Sequence, residues 1–233
     1  MNIRKTVFVP LLAFALISMA WAQQDSSSEL TIEELYLQNA EIRLINEQAV
    51  SEDRDMKLVA LDNIQDMVDD GKLSTGAPEA HFILDYLAGE GLEREVRENR
   101  RVINYYPEVR RRAANLLGQI GGENAKDSLV RVLLTDIEPM VRAEAAYALG
   151  IIGINDNNET SQALAAAVLA QDIINPDDNF AYASLLAFDK IAQANGGIND
   201  SSALEAIIRI AQGPYIRTVR VKAVELLDAL RDY

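Results

Sequence analysis

One block of this sequence occurs twice. Pro107-x-Val109-Arg110-x-x-Ala113-Ala114-x-Leu116-Leu117-Gly118-x-Ile120-Gly121 returns as Pro139-x-Val141-Arg142-x-x-Ala145-Ala146-x-Ala148-Leu149-Gly150-x-Ile152-Gly153, position for position. A unit repeating at such a period cannot cover its own apolar face, so successive copies have to stack into one continuous core. Within the block Val109, Ala113, Leu116, Leu117 and Ile120 stand at i, i+4, i+7, i+8 and i+11, which is one face of a helix. Proline at the start tolerates the missing N–H, Gly121 and Gly153 sit where a left-handed cap would end the helix, and the paired alanines admit a close neighbour.

The frame returns in eroded form. Phe180, Ser184, Leu185, Ala187, Phe188 and Ile191 follow it, then Val219-Arg220, Ala223, Val224, Leu226, Leu227 and Leu230, so that the step from Val141 to Phe180 equals the step from Phe180 to Val219. An earlier copy, Met56-Lys57, Ala60, Leu61, Ile64 and Met67, precedes its counterpart at Val109-Arg110 by more than these steps, so an arginine-rich insertion is expected at about 92–106. Each such helix is followed by a polar turn and a second helical stretch, at about 78–88, 124–134, 160–171 and 202–212. No alternating apolar pattern of useful strand length is present. The expected class is all-α, an α-solenoid over 52–233, preceded by a capping helix at 29–51 and a polar linker at 23–28.

The first stretch, 1–22, belongs to a different kind of segment. Arg4 and Lys5 precede an apolar run of about 14 residues, and Ala20-Trp21-Ala22 offers the small residues that a signal peptidase reads. A membrane-spanning helix takes roughly 20 residues. A cleaved export signal is therefore expected, cut between Ala22 and Gln23, with the mature chain periplasmic or secreted and not integral to a membrane. The chain has no cysteine, which suits export and excludes disulfides, thiol nucleophiles and cysteine metal sites. Its single histidine, His81, excludes a two-histidine zinc motif.

Charge narrows the partners. The chain carries 22 basic against 36 acidic residues, a net charge of −14, which opposes nucleic acid and broad adhesion to anionic lipid. Residues 93–112 form an arginine-dense island, with 7 Arg against 4 Glu, net +3. Arg94, Arg97, Arg100 and Arg101 there have spacing i, i+3, i+6, i+7, which on a helix would gather guanidinium groups able to grip a carboxylate or phosphate. Pairing with Glu90, Glu93, Glu95 and Glu98 is the structural alternative.

Other candidates carry less chemistry. His81 has no serine or cysteine signature beside it, and reads as a partly buried spacer. Gly118, Gly121, Gly122 and Lys126 lack the Gly-Lys-Ser/Thr of a phosphate loop, and read as turn chemistry. The oxygen-rich loops at 155–159 and 177–179 lack EF-hand spacing, so helix capping is expected there in place of calcium. Tyr105, Tyr106, Tyr147, Tyr182 and Tyr215 fall near repeat boundaries, where packing accounts for most and an exposed subset could anchor a partner.

The P-x-V-R-x-x-A-A-x-x-L-G signature resembles the HEAT repeat family, specifically the short HEAT-like repeats of the phycobilisome-lyase type. That resemblance implies a right-handed superhelix of two-helix repeats with the second helices lining a concave surface. It implies that partner contacts come from that face, with Lys126, Arg131, Glu205 and Arg209 as polar candidates. It also implies a structural role for Arg110, Arg142 and Arg220, each tied to an acidic residue or carbonyl of the adjacent repeat. No cofactor or metal is called for. The expected function is a non-enzymatic exported scaffold that binds another protein through the concave face and the arginine-rich insertion. Two alternatives stand beside it: a lyase-like enzyme or small-ligand-binding protein related to the HEAT-like bilin lyases, and a self-associating structural envelope protein.

Overall fold

The structure is a computed structural model that describes residues 32–233, with side chains described from Ala40 onward. The expected signal peptide and polar linker lie outside the described residues. The chain divides into two units, 1–39 and 40–233, and the core lies within the second.

Ten α-helices make up nearly all of the described secondary structure. They are α1 (Ile32–Val50), α2 (Arg54–Asp69), α3 (Pro78–Ala88), α4 (Pro107–Ile120), α5 (Glu123–Thr135), α6 (Pro139–Ile152), α7 (Glu159–Ile174), α8 (Asp178–Asn195), α9 (Ser201–Gln212) and α10 (Arg217–Ala229). Prolines open α3, α4 and α6, where the lost N–H costs nothing. The side chains of Asp53, Asp177 and Asp200 cap α2, α8 and α9 by accepting from the N–H of Asp55, Phe180 and Ser202.

The helices form two layers. First helices pack in the order α2, α4, α6, α8, α10, and second helices in the order α3, α5, α7, α9, with each second helix packed across the layers against the first helix that follows it. This is an α-solenoid of HEAT-like two-helix units. Val109 and Val141 occupy equivalent buried places, and the predicted face of α4, from Val109 to Ile120, lies in the core. Fully burying such a side chain stabilises by about 1.5–3 kcal/mol, and here each burial requires the next unit.

Gly118 is not turn chemistry: it lies inside α4, in the last turn of the helix. A Cβ on Gly118 would stand 2.7 Å from Ala148 Cβ, and one on Gly150 would stand 2.6 Å from Ala187 Cα. Both glycines are therefore contact points between first helices. The turns belong instead to Gly121 and Gly153, both at positive φ.

The insertion is not helical. Two-residue strands β1 (Arg97–Glu98) and β2 (Arg101–Val102) pair antiparallel, around a turn in which Asn99 and Arg100 take φ of 49° and 69°. The arginine spacing comes with no apolar stripe that could hold a helix against the core. The hairpin is fastened at its base by Asn104, whose side chain accepts from Val96 N (2.8 Å) and donates to Arg94 O (2.6 Å) and Glu90 Oε1 (2.8 Å).

Candidate functional site

A ladder of buried cations runs along the edge where second helices end and first helices begin. Lys57 of α2 donates to Ala49 O (2.9 Å) and pairs with Glu90 at 3.1 Å. Arg110 of α4 makes a two-point pair with Asp136 (2.6 and 3.2 Å), donates to Glu90 O (3.0 Å) and stacks over the Tyr105 ring at 4.7 Å. Burial works against the Arg110 charge, but Asp136 outweighs it and holds the guanidinium above its usual range. Arg142 of α6 donates to Leu133 O, Ala167 O (3.0 Å each) and Gln171 Oε1, over the Phe180 ring at 4.6 Å. With burial as the main influence, Arg142 is pulled below its usual range.

Arg220 does not extend this ladder. It is exposed on α10. Lys57 is a rung that a signature written around arginine misses, although Met56-Lys57 occupies the place of Val109-Arg110.

The second-helix face carries a polar network that ties one unit to the next. His81 and Asp85 stand one turn apart on α3, and Ser128 and Arg131 one turn apart on α5. Ser128 Oγ donates to Asp85 Oδ1 at 2.5 Å, and Arg131 pairs with Asp85 (2.6 Å) and Glu93 (2.7 Å). His81 Nε2 faces Asn124 O at 3.1 Å and Ser128 Oγ at 3.0 Å. A carbonyl only accepts, so Nε2 carries a proton. The serine proton goes to Asp85 and not to the histidine, and Ser128 is itself buried. This ordering differs from a nucleophile–base–carboxylate relay and serves to join α3 to α5. Burial alone would push the Asp85 carboxyl up, yet the Ser128 and Arg131 hydrogen bonds hold it below the usual carboxylate range.

Of the expected partner-binding residues, Lys126 is buried and ringed by Glu123 (2.5 Å), Asp127 (3.0 Å) and Glu159 (2.9 Å). Burial opposes its charge, but the three carboxylates more than offset this and raise the ammonium above the usual lysine range. The three acidic groups come within 4.8 Å of one another, and the cation they hold is Lys126. Arg131 is tied to Asp85 and Glu93, and Arg209 to Asp172 at 2.7 Å. Glu205 is exposed on α9. Arg94 donates to Tyr86 O (3.0 Å) and lies over its ring, while Arg97 pairs with Glu95. Arg100 and Arg101 are exposed at the hairpin tip and make no ion pair among the described residues. In the oxygen-rich loops, Asn155 Oδ1 accepts from Ser161 N and Asp177 Oδ1 from Phe180 N.

An apolar cleft also opens on this face. Between α1 and α3, Ile42, Ile83 and Phe82 line a space of about 520 Å³ rimmed by Arg43, Glu47 and Glu79, and Phe82 is 67 % exposed. Phe82 follows His81 directly and falls off the buried stripe of α3, a signal readable in the sequence once that stripe is drawn.

Two layers of stacked helix pairs, tied edge to edge by buried cations, define a repeat protein of the solenoid class. Residues 104–175, which span α4 to α7, match a family model described as HEAT repeats. These are the two units with the fullest signature. No curated protein matches the chain.

Proposed function

We propose that this protein is an exported, non-enzymatic scaffold that binds another protein on the second-helix face of its solenoid. HEAT repeats generally mediate protein–protein interaction and their scaffolds are generally non-catalytic. The observation that carries the reading is Phe82, an aromatic side chain two-thirds outside the core in an apolar cleft rimmed by charges of both signs. An aromatic anchor with a polar rim is the composition of an interaction hot spot. The cations expected to contact a partner are largely engaged in joining repeats, so apolar anchoring takes the larger part.

A photo-crosslinking residue at position 82, compared with one at position 119 on α4, tests the binding. A discrete protein adduct specific to position 82 is expected in the envelope fraction, and equal labelling at both positions would overturn the proposal. Export has its own readout: the protein in the periplasmic or secreted fraction should begin at Gln23. Retention in the cytoplasm with its N-terminal segment intact would remove the exported part.

A further inference from the structure

The first-helix face is laced by ion pairs except in one place. Arg54–Glu108 (3.3 Å) and Arg112–Asp62 join α2 to α4, Arg111–Glu144 (3.4 Å) joins α4 to α6, and Lys222–Asp189 (2.8 Å) joins α8 to α10. Among the described residues none joins α6 to α8, where Lys190 lies over the Tyr147 ring at 5.7 Å. A groove of about 320 Å³ opens there, lined by Met140, Tyr147, Tyr182 and Ile216. These side chains are 53, 36, 37 and 56 % exposed. Its only charged lining groups are Glu144 and Asp178, so it suits an apolar knob carrying positive charge.

The same chain carries such a knob. The β1–β2 hairpin stands outside the repeat frame and presents Val96 and Ile103, 40 and 45 % exposed, beside Arg100 and Arg101. Its stretch is an arginine-dense island in an acidic protein, net +3 over 93–112. Asn104 already holds its base, so docking orders little additional chain.

We propose that the hairpin of one copy docks in the α6–α8–α10 groove of a second copy, with Arg100 and Arg101 meeting Glu144 and Asp178 and the aliphatic flanks covering the two tyrosines. Repulsion between two acidic chains is screened beyond about 8 Å at physiological ionic strength, while contacts at the knob are shorter than that. The two surfaces differ, so the contact is heterologous, and each added copy brings a free hairpin and a free groove. A knob of this size buries less than a standard interface of about 1,200–2,000 Å², which places the association in the weak, concentration-dependent range. The inference is independent of the partner proposed for the Phe82 cleft.

Sedimentation velocity on the purified protein, from ~1 to ~500 µM, should show mass rising with concentration. Arg100→Glu with Arg101→Glu, and separately Tyr147→Ser with Tyr182→Ser, should each weaken association at least ~10-fold, equivalent to about 1.4 kcal/mol. An equimolar mixture of the two variants should form a dimer that grows no further, because one variant keeps its hairpin and the other its groove. Ile216→Ser serves as the groove variant if the double tyrosine change unfolds the protein. A wild-type protein that stays monomeric throughout, or a mixture no heavier than its components, would overturn the inference, while leaving adducts at position 82 unaffected.

Discussion

Arg110 and Asp136 face each other as a two-point pair with side chains 0 and 1 % exposed, whereas Arg142, in the same position of the next repeat, meets no carboxylate among the described residues. The backbone frame is shared and the electrostatics are not. One rung is an ion pair and the next is a guanidinium held by carbonyl oxygens, an amide and a ring.

That difference should appear in stability. Arg110→Met leaves Asp136 as a buried charge with no paired cation, held only by the Glu138 N–H, and breaking a buried pair this way costs about 3–5 kcal/mol. Arg142→Met strands no charge and leaves Leu133 O short of a donor, a loss of about 1–3 kcal/mol. Urea unfolding of both variants checks the order. Equal losses would show that the carboxylate is not what separates the two rungs.

The contacts at Gly118 and Gly150 make a second comparison. A methyl group at either would overpack the first-helix layer by about 1–3 kcal/mol. At Gly118 the nearest atom is the Ala148 Cβ, at Gly150 it is the Ala187 backbone. Ala148→Gly should therefore recover part of the loss in Gly118→Ala, measured as a coupling in a double-mutant cycle. The corresponding Ala187→Gly should recover little in Gly150→Ala, because the obstructing Cα remains.

The repeat frame is legible in the sequence because burial at Val109 and Val141 is set by helix period and neighbouring units, both written in local spacing. The rungs are not. Lys57 reaches Glu90, Arg110 reaches Asp136 and Arg142 reaches Gln171, across three different lengths of chain. The separation changes with the length of the intervening second helix and turn, so no fixed offset marks the partner. The hairpin departs from expectation for a related reason: arginine spacing suggests a helix, but two residues at positive φ and the side chain of Asn104 decide the local fold. The His81–Ser128–Asp85 network joins side chains far apart in sequence on two helices, and only the pairing of α3 with α5 brings them together.

Lys126 gathers three carboxylates that are each more than half exposed. Lys126→Met leaves Glu123, Asp127 and Glu159 to repel one another across the α5–α7 contact. Solvent screens such groups, so a loss of about 1 kcal/mol is expected near neutral pH. In ~1 M salt, where the screening length falls to about 3 Å, the part due to repulsion should shrink. A loss insensitive to salt would assign the role of Lys126 to the packing of its aliphatic stem. Thermal or urea unfolding at the two ionic strengths distinguishes these outcomes.

Tyr215 sets the response to high pH. Burial raises its phenol, and the charge of Asp172, which accepts its hydroxyl at 3.2 Å, raises it further. A folded-state value above the unfolded one of about 10 means that the stabilisation is fully present below pH ~10 and is lost as pH rises beyond it. Tyr86, Tyr105 and Lys126 are shifted in the same direction and add to the decline. Tyr215→Phe keeps the ring in the core but has no proton to lose. It should be less stable than the wild type at pH ~8 by roughly 0.5–1.5 kcal/mol, the net worth of one hydrogen bond, and should fall less steeply between pH ~9 and ~11. Urea unfolding across that range checks it, and parallel declines in the two proteins would show that the Tyr215 phenol contributes nothing to the alkaline limit.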